Sequence, residues 1–383
     1  MRRIVLVSGE IWNYASARWR LCCTVSPVSS RRWGAIVISS SLGVLLGIAL
    51  IVFTIDPYQV YRRPTLYKPL FADAYNTIPG IIRNYDYDGI VLGSSMCQNF
   101  RLSEVEACLG WRKGVKLTPS GCTPATVNLF FTLASKRQPL RHALYGLDIF
   151  GFSRPVDEHR IPLPDYLYDD DIRNDYLYLW NRNVLYEGIP DVLKAIAGRK
   201  KYRLKQNEDE MWAWDLGDGR REYGENAVVH AEKRFGGALK GNTLPENAIE
   251  AMLENLDVNI LGFVKDHPEV DIVVFFPPYS IQAWHNLNAV GNMDTYLEFK
   301  EKAVERLLGF PNVRVYDFQI EKTIVCDFAN YRDGTHYSPQ VGTLILERMG
   351  RDENRVTNEC IQKNNTLMRQ LVKNYEASGA IVP

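Results

Sequence analysis

Residues 89–95 of this chain read GIVLGSS, and this stretch decides the fold. Its first four residues form a short apolar run that leads into Gly93, Ser94 and Ser95. A run this apolar is typical of a strand buried on both faces in a parallel sheet, and Gly93 permits a tight turn where it ends. Because α/β proteins bind ligands beyond the carboxyl ends of such strands, we expect the two serines at a ligand-binding edge.

Further apolar runs follow along the chain, and segments with helical spacing separate them. The runs are residues 115–117, 143–150, 271–276 and 313–318. Helices are predicted for residues 125–135, 247–264, 294–308 and 339–349. This alternation indicates an α/β fold, a three-layer α/β/α sandwich around a five-stranded parallel sheet.

The stretch from residue 152 to residue 243 does not fit the alternation. It is rich in tyrosine, tryptophan and acidic side chains and is too long for a simple connection. We interpret it as an insertion in a domain that covers residues 85–350, followed by a C-terminal extension at residues 351–383. The insertion is either a lid over the site or a peripheral helical subdomain in which tyrosines pack.

Residues 34–54, GAIVISSSLGVLLGIALIVFT, contain no charge and are about as long as a bilayer core. Residues 1–33 are rich in arginine and contain a single acid, Glu10. The positive-inside rule therefore predicts a cytoplasmic tail at 1–33, a transmembrane signal-anchor at 34–54, and a tether at 55–84 that leads to an external domain. A cleaved signal peptide is the alternative, but the run is longer than a typical signal core and no small-x-small site follows it.

The bulk composition and the absence of common motifs exclude several classes of function. Lys and Arg total 45, as do Asp and Glu, and no basic stripe is interleaved with aromatic residues, so no nucleic-acid partner is predicted. No Gly-x-Gly-x-x-Gly follows a strand, and the sequence has neither a phosphate-binding P-loop motif nor His-Glu-x-x-His. With no Cys/His spacing typical of zinc, the sequence predicts no cofactor and no metal.

A late loop at residues 330–340, with the sequence NYRDGTHYSPQ, supplies a partner for the serines. Its Asp333 and His336 are three residues apart, which allows both side chains to point the same way. A serine hydroxyl becomes an effective nucleophile when a base takes its proton and a third group orients the base. We therefore predict Ser95 as the nucleophile, His336 as the base and Asp333 as its orienter, with Ser94 as the alternative nucleophile.

An acyl-transfer site also needs hydrogen-bond donors where negative charge develops. The backbone N–H groups of Ser95 and of Gly121, which follows the second predicted strand, are candidates. Asp148, near the end of the third predicted strand, cannot donate unless it is protonated. We therefore expect Asp148 to orient a loop or a hydroxyl group, or to cap a helix after the strand.

These blocks resemble the SGNH/GDSL hydrolase superfamily. In that family a Gly-Asp-Ser block carries the nucleophile, a later glycine and an asparagine supply oxyanion donors, and a late Asp-x-x-His completes the site. The corresponding blocks here are Gly93-Ser94-Ser95, Gly121, Gly146-Leu147-Asp148 and Asp333-Gly334-Thr335-His336. Ser94 and Asp148 depart from the family's Asp and Asn, and the resemblance covers about residues 85–350 outside the insertion.

The Gly-Ser-Ser variant on a membrane anchor is most similar to cell-envelope acyl-transfer members, such as the D-alanyl-lipoteichoic-acid transfer and alginate O-acetylation proteins. The resemblance implies a bacterial, single-pass membrane protein that hydrolyses or transfers an ester-linked acyl group through an acyl-serine. Implied partners are a cell-envelope polysaccharide or teichoic-acid-like acceptor, the membrane and a membrane-bound acyltransferase. The alternative is a non-catalytic envelope-assembly or polysaccharide-binding protein with a degenerate site, which the aspartate at position 148 and the aromatic insertion favour.

Overall fold

The computed structural model describes residues 29–169, 171, 173–215, 217, 219–235 and 243–379. Most of the expected cytoplasmic tail, residues 1–28, lies outside this part of the chain. The chain divides after Thr54 into two compact units.

The described residues of the first unit form an apolar helix, α1, which spans Ser30–Ile55. The helix begins at Ser30, before residue 34, where the predicted span begins. Large apolar side chains such as Leu46 and Leu50 are exposed along it. Among the described residues it is the one helix long and apolar enough to cross a membrane, a criterion that a signal sequence also meets. By length and composition, α1 therefore fits a bilayer span.

The second unit is built on a five-stranded sheet in which every strand pair is parallel, as the sequence predicts. The strands are β1 Gly89–Leu92, β2 Gly114–Leu117, β3 His142–Gly146, β4 Asp271–Phe276 and β5 Val313–Asp317. Their order across the sheet is β2-β1-β3-β4-β5. All four residues of β1 are buried, which agrees with a sheet covered on both faces.

Helices occupy most of the connections between these strands. Those of the second unit are α2 Ala74–Asn84, α3 Leu102–Leu109, α4 Pro124–Arg137, α5 Ile189–Ile196, α6 Lys200–Arg203, α7 Glu225–Phe235, α8 Ala248–Leu256, α9 Gly262–Asp266, α10 Ile281–Ala289, α11 Met293–Leu307, α12 Lys322–Val325, α13 Pro339–Gly350 and α14 Ile361–Ala377. Short 3₁₀ segments include Ser95–Cys97 and Ile149–Gly151.

The helices form two layers because the chain reverses direction across the sheet at β1. The crossover through α3 leads from β1 to β2, whereas the crossover through α4 leads back past β1 to β3. Since parallel crossovers are right-handed, the two helices lie on opposite faces. Helix α13 packs against α3, while α8 packs against α4 and α11, which gives an α/β/α sandwich.

Two segments differ from the sequence-based expectation. Strand β3 ends at Gly146 rather than at residue 150, because Asp148 begins a 3₁₀ turn by accepting a hydrogen bond from the backbone N–H of Phe150. Residues 74–84, expected within a tether, form α2, which Asp73 caps through the N–H of Asn76. Its buried face packs against α4, so these residues belong to the compact unit.

Candidate functional site

The serine turn directly follows β1. Gly93 adopts φ +136°, a conformation that favours glycine, and so redirects the chain after the strand. Ser94 then caps the 3₁₀ segment, its hydroxyl accepting from the N–H of Met96. The turn presents the side chain of Ser95 at the carboxyl edge of the sheet, where the sequence predicts it.

The histidine loop is held by hydrogen bonds of its own. Asp333 Oδ1 accepts from the backbone N–H groups of Thr335, at 2.9 Å, and of His336, at 2.8 Å. Tyr331 and Tyr337 close the loop as an isolated antiparallel bridge. The Tyr337 hydroxyl also donates to the carbonyl of Met96 at 2.6 Å, which ties the loop to the serine turn.

These two segments bring Ser95, His336 and Asp333 together. Ser95 Oγ lies 2.7 Å from His336 Nε2, and His336 Nδ1 lies 2.9 and 3.0 Å from the two carboxylate oxygens of Asp333. Burial opposes ionisation of Asp333, but hydrogen bonds and attraction from His336 outweigh it and lower the pKa of Asp333 to about 2. The ionised carboxylate therefore holds the imidazole with Nε2 toward the serine hydroxyl.

Asp148 accepts three hydrogen bonds beside this set. Its Oδ2 accepts from the Ser94 hydroxyl at 3.1 Å, and its Oδ1 accepts from the Tyr279 hydroxyl at 2.8 Å. Together with the bond from Phe150, Asp148 both orients hydroxyl groups and caps a turn, the two roles that the sequence left open. The Ser94 hydroxyl points to Asp148, while the Ser95 hydroxyl points to His336.

Gly121 lies after β2 with φ +68°, again a conformation that favours glycine. A Cβ atom at this position would lie 2.5 Å from Nη1 of Arg160, so the guanidinium covers the glycine directly. Gly121 and Ser95 line the same cavity, but the donor role expected of the Gly121 N–H stays a prediction.

A cavity of about 720 Å³, called here the Ser95 cavity, surrounds the site. Ser94, Ser95, Gly121, Asp148 and His336 line it. The sequence did not single out several other lining residues, which are Arg154, Arg160, Ile161, Trp214, Tyr279 and Arg332. Within the described part of the chain, no cluster of three or more His, Cys, Asp and Glu side chains is arranged to hold a metal ion.

Trp214, a residue of the insertion, contacts both the serine turn and His336. Its indole N–H donates to the carbonyl of Ser95 at 3.0 Å, and its ring meets the His336 ring edge-on with centroids 5.7 Å apart. The guanidinium of Arg332 lies 4.9 Å above the indole. The aromatic content of the insertion was visible in the sequence, but its contact with the serine turn depends on tertiary structure.

The side chain of Lys116 holds the segment that directly follows the serine turn. This β2 side chain is fully buried, and its amine donates to the carbonyls of Gln98, at 2.8 Å, and Phe100, at 2.6 Å. Burial lowers the pKa of Lys116 to about 7, because a charged amine is disfavoured away from water. The lysine satisfies two carbonyls just after Ser95 that would otherwise lack partners.

Comparison with known proteins adds little to this geometry. No protein-family model matches the sequence, and no curated protein matches it. One solved structure, from Streptococcus pneumonia and described provisionally as a platelet activating factor, aligns over 73% of this chain and 90% of its own. The identity is 11% and the TM-score is 0.34, a likeness too low to assign a function.

Proposed function

We propose that this protein is a membrane-anchored serine esterase or O-acyltransferase that acts on a cell-envelope polymer through an acyl-serine intermediate on Ser95. The observation that carries the proposal is the continuous hydrogen-bonded set of Ser95, His336 and Asp333. Nucleophile, base and orienter are each within direct hydrogen-bond distance, which is the arrangement that activates a serine hydroxyl.

In the proposed first step, Ser95 Oγ attacks the carbonyl carbon of an ester while His336 Nε2 takes the hydroxyl proton. The tetrahedral intermediate then collapses, the C–O bond to the leaving alcohol breaks, and His336 returns the proton to that oxygen. The acyl group now lies on Ser95. Water, or a hydroxyl of an acceptor, gives its proton to His336 and attacks the acyl carbon. The bond between that carbon and Ser95 Oγ then breaks, and His336 returns the proton to Oγ, which releases the product and restores the serine.

Backbone N–H groups of Ser95 and Gly121 are the proposed donors for the negative charge on the intermediate. Asp148 cannot add a third donor there, because its oxygens already accept from Ser94, Tyr279 and Phe150. A carboxylate lining the same cavity also disfavours a second negative charge. We therefore expect slow turnover, which suits transfer to a bound acceptor better than rapid hydrolysis.

We further propose that the chain is a distant member of the SGNH/GDSL superfamily. The support is the serine after β1, the glycine after β2, the polar residue after β3 and the late Asp-x-x-His loop, all at one edge of a parallel sheet. The proposed partners are a cell-envelope polysaccharide or teichoic-acid-like acceptor and a membrane-bound acyltransferase that supplies the acyl group.

One observation favours the second candidate, a non-catalytic polysaccharide-binding protein. Asp148 takes the place of the family's donor, and its carboxylate accepts hydrogen bonds from Ser94 and Tyr279. The serine–histidine distance of 2.7 Å weighs against this candidate, since a degenerate site has no requirement to keep that contact.

Labelling with a fluorophosphonate probe tests the proposal. The full chain in detergent should be labelled, and Ser95→Ala should abolish labelling and ester hydrolysis. Ser135→Ala, a serine in α4 away from the cavity, controls for general effects of the substitution. Labelling that survives in Ser95→Ala but disappears in Ser94→Ala would move the nucleophile by one residue, and a wild-type chain that is neither labelled nor active would favour the binding protein.

A further inference from the structure

We infer that the cleft around Ser95 binds an anionic glycan, whose acidic groups are held by arginines at the reaction site and by lysines further along. This inference rests on the proposed function for the position of the reacting ester, and it names the chemical class of the polymer. It is carried by the charges that line two adjoining cavities.

The Ser95 cavity has more positive than negative lining residues. Arg154, Arg160 and Arg332 line it, and Asp148 is the acidic residue among its lining residues. The carboxylate of Asp148 accepts from Ser94, Tyr279 and a backbone N–H, and none of these three arginines lies within ion-pair distance of it. The cavity is therefore suited to a ligand that carries negative charge close to the reacting ester.

Of the three arginines that line the Ser95 cavity, Arg160 is the one whose positive charge is least balanced by nearby carboxylates. Arg154 pairs with Glu158 at 2.6 Å, and Arg332 lies 3.6 Å from Asp333. No carboxylate among the described residues is within ion-pair distance of Arg160, which is exposed and lies directly on Gly121. A guanidinium in this position can bind a carboxylate or phosphate through two parallel hydrogen bonds, next to the proposed oxyanion donors.

A second cavity of about 520 Å³, called here the Lys205 cavity, continues the cleft. Lys201, Lys205, Arg220 and Arg221 line it, and burial together with repulsion from Lys201 lowers the pKa of Lys205. Two of its acids are already engaged, since Asp73 caps α2 and Asp191 pairs with Lys194, whereas Glu187 also lines the wall. An anionic group bound here would relieve the repulsion between the two lysines.

The two cavities adjoin each other. They share four wall residues, which are Gln98, Ser120, Ile161 and Trp214. Trp214 thus contributes an aromatic surface at the junction, against which the C–H faces of a sugar ring can pack. Cations at both ends and an aromatic residue between them fit a glycan with repeated acidic groups better than a single small ester.

Binding to the Ser95→Ala chain tests this inference without turnover. Isothermal titration with hexagalacturonate, a phosphorylated maltohexaose and neutral maltohexaose compares carboxylate, phosphate and uncharged sugar chains. We expect at least one acidic hexamer to bind about tenfold or more tightly than maltohexaose, since a charged hydrogen bond contributes on that scale, and added salt should weaken it. The better of the two acidic hexamers identifies the acidic group.

Variants in the same Ser95→Ala background locate the contacts. Arg160→Gln should weaken binding of the preferred hexamer by about tenfold, and it should weaken the two-unit form of the same sugar chain equally. Lys201→Gln/Lys205→Gln should weaken binding of the hexamer only, because the two-unit form does not extend from Ser95 to the lysines. Arg369→Gln, an exposed arginine on α14 that pairs with Asp294, is the matched control. Equal binding of acidic and neutral chains, or acidic binding insensitive to both variants, would overturn the inference while leaving Ser95 labelling, and with it the proposed function, unaffected.

Discussion

At the scale of single residues, Asp148 is the side chain that most limits the proposed chemistry. Its carboxylate lines the cavity in which the tetrahedral intermediate would carry negative charge. We expect Asp148→Asn to raise kcat on a neutral ester such as p-nitrophenyl acetate, by up to about tenfold, because the substitution removes that repulsion. The amide oxygen can still accept from Tyr279 and Phe150, and the Ser94 hydroxyl can reverse and accept from the new amide nitrogen.

Steady-state kinetics with a thermal unfolding curve check this prediction. Asp86→Asn, an exposed carboxylate paired with Arg112, is the control and should leave kcat unchanged. A lower kcat in a folded Asp148→Asn chain would mean that the carboxylate is needed to hold Ser94, and that its charge is not the limiting factor.

At the scale of secondary-structure elements, the sequence predicted the strands well and their ends less well. The apolar runs of β1 and β4 have the observed bounds, because strands that are buried on both faces of a parallel sheet are mostly apolar along their length. The third run continues to Phe150 in the sequence, but Asp148 bonds to the backbone ahead of it and turns the chain out of the sheet. Helix α2 was missed because Pro79 lies within it, which the sequence pattern treats as a break.

Strand β2 carries a prediction about pH, through Lys116. In the unfolded chain this lysine binds a proton below its ordinary pKa of 10.5, whereas in the folded chain it does so only below about 7. Between these values the unfolded state holds the extra proton, so Lys116 makes the folded state more stable as pH rises. We expect the free energy of unfolding of wild type, minus that of Lys116→Met, to increase by about one kcal/mol per pH unit from pH 7 to pH 10.

Urea unfolding of both chains at pH 7, 8 and 9 measures this difference directly. Lys302→Met, an exposed lysine of α11, provides the control and should track wild type across the range. Parallel curves for wild type and Lys116→Met would show that the buried amine keeps its proton in the folded state.

The contact between β3 and the serine turn gives a second element-scale prediction. A methyl group at Gly146 would overlap the sulfur of Cys97, a fully buried residue of that turn. We expect Gly146→Ala to destabilise the fold by about 1–3 kcal/mol and to lower activity, because the turn that carries Ser95 must shift. The double variant Cys97→Ala/Gly146→Ala should recover most of both losses.

The free energy of unfolding and the rate of ester hydrolysis are measured for wild type, Cys97→Ala, Gly146→Ala and the double variant. Gly262→Ala serves as the control, since only a carbonyl oxygen at 3.9 Å approaches a Cβ there. A double variant no better than Gly146→Ala would place the strain elsewhere, for example against Phe275.

At the scale of the whole molecule, the sheet order explains why residues far apart in sequence meet. Ser95 follows β1 and Asp148 follows β3, and these strands are neighbours in the order β2-β1-β3-β4-β5. The sequence indicated that both residues lie at strand ends, and the pairing of β1 with β3 brings Ser94 to Asp148. Arg160 and Trp214 had no such signal, because a long insertion has no strand register from which its contacts can be inferred.

The last prediction concerns α1 and the location of the second unit. Leu42→Arg/Leu46→Arg places two charges in the middle of the apolar helix, each costing about 2.5–3.5 kcal/mol at a bilayer centre. We expect this variant to move from the membrane fraction to the soluble fraction, whereas Leu66→Arg, a 75% exposed position beyond the helix, should not. A shortened mature chain by intact mass would instead indicate cleavage of a signal sequence.

The proposed membrane orientation places the second unit outside the cytoplasm. Labelling of the exposed Cys326 in that unit tests this orientation. In bacterial cells with a permeabilised outer membrane, a membrane-impermeant maleimide should label the wild-type chain, and Cys326→Ser should lose most of the label. Labelling only after lysis would place the second unit in the cytoplasm. The Ser95 cavity would then face the cytoplasm, and a cell-envelope polymer would no longer be a suitable acceptor even if Ser95 reacts with the probe.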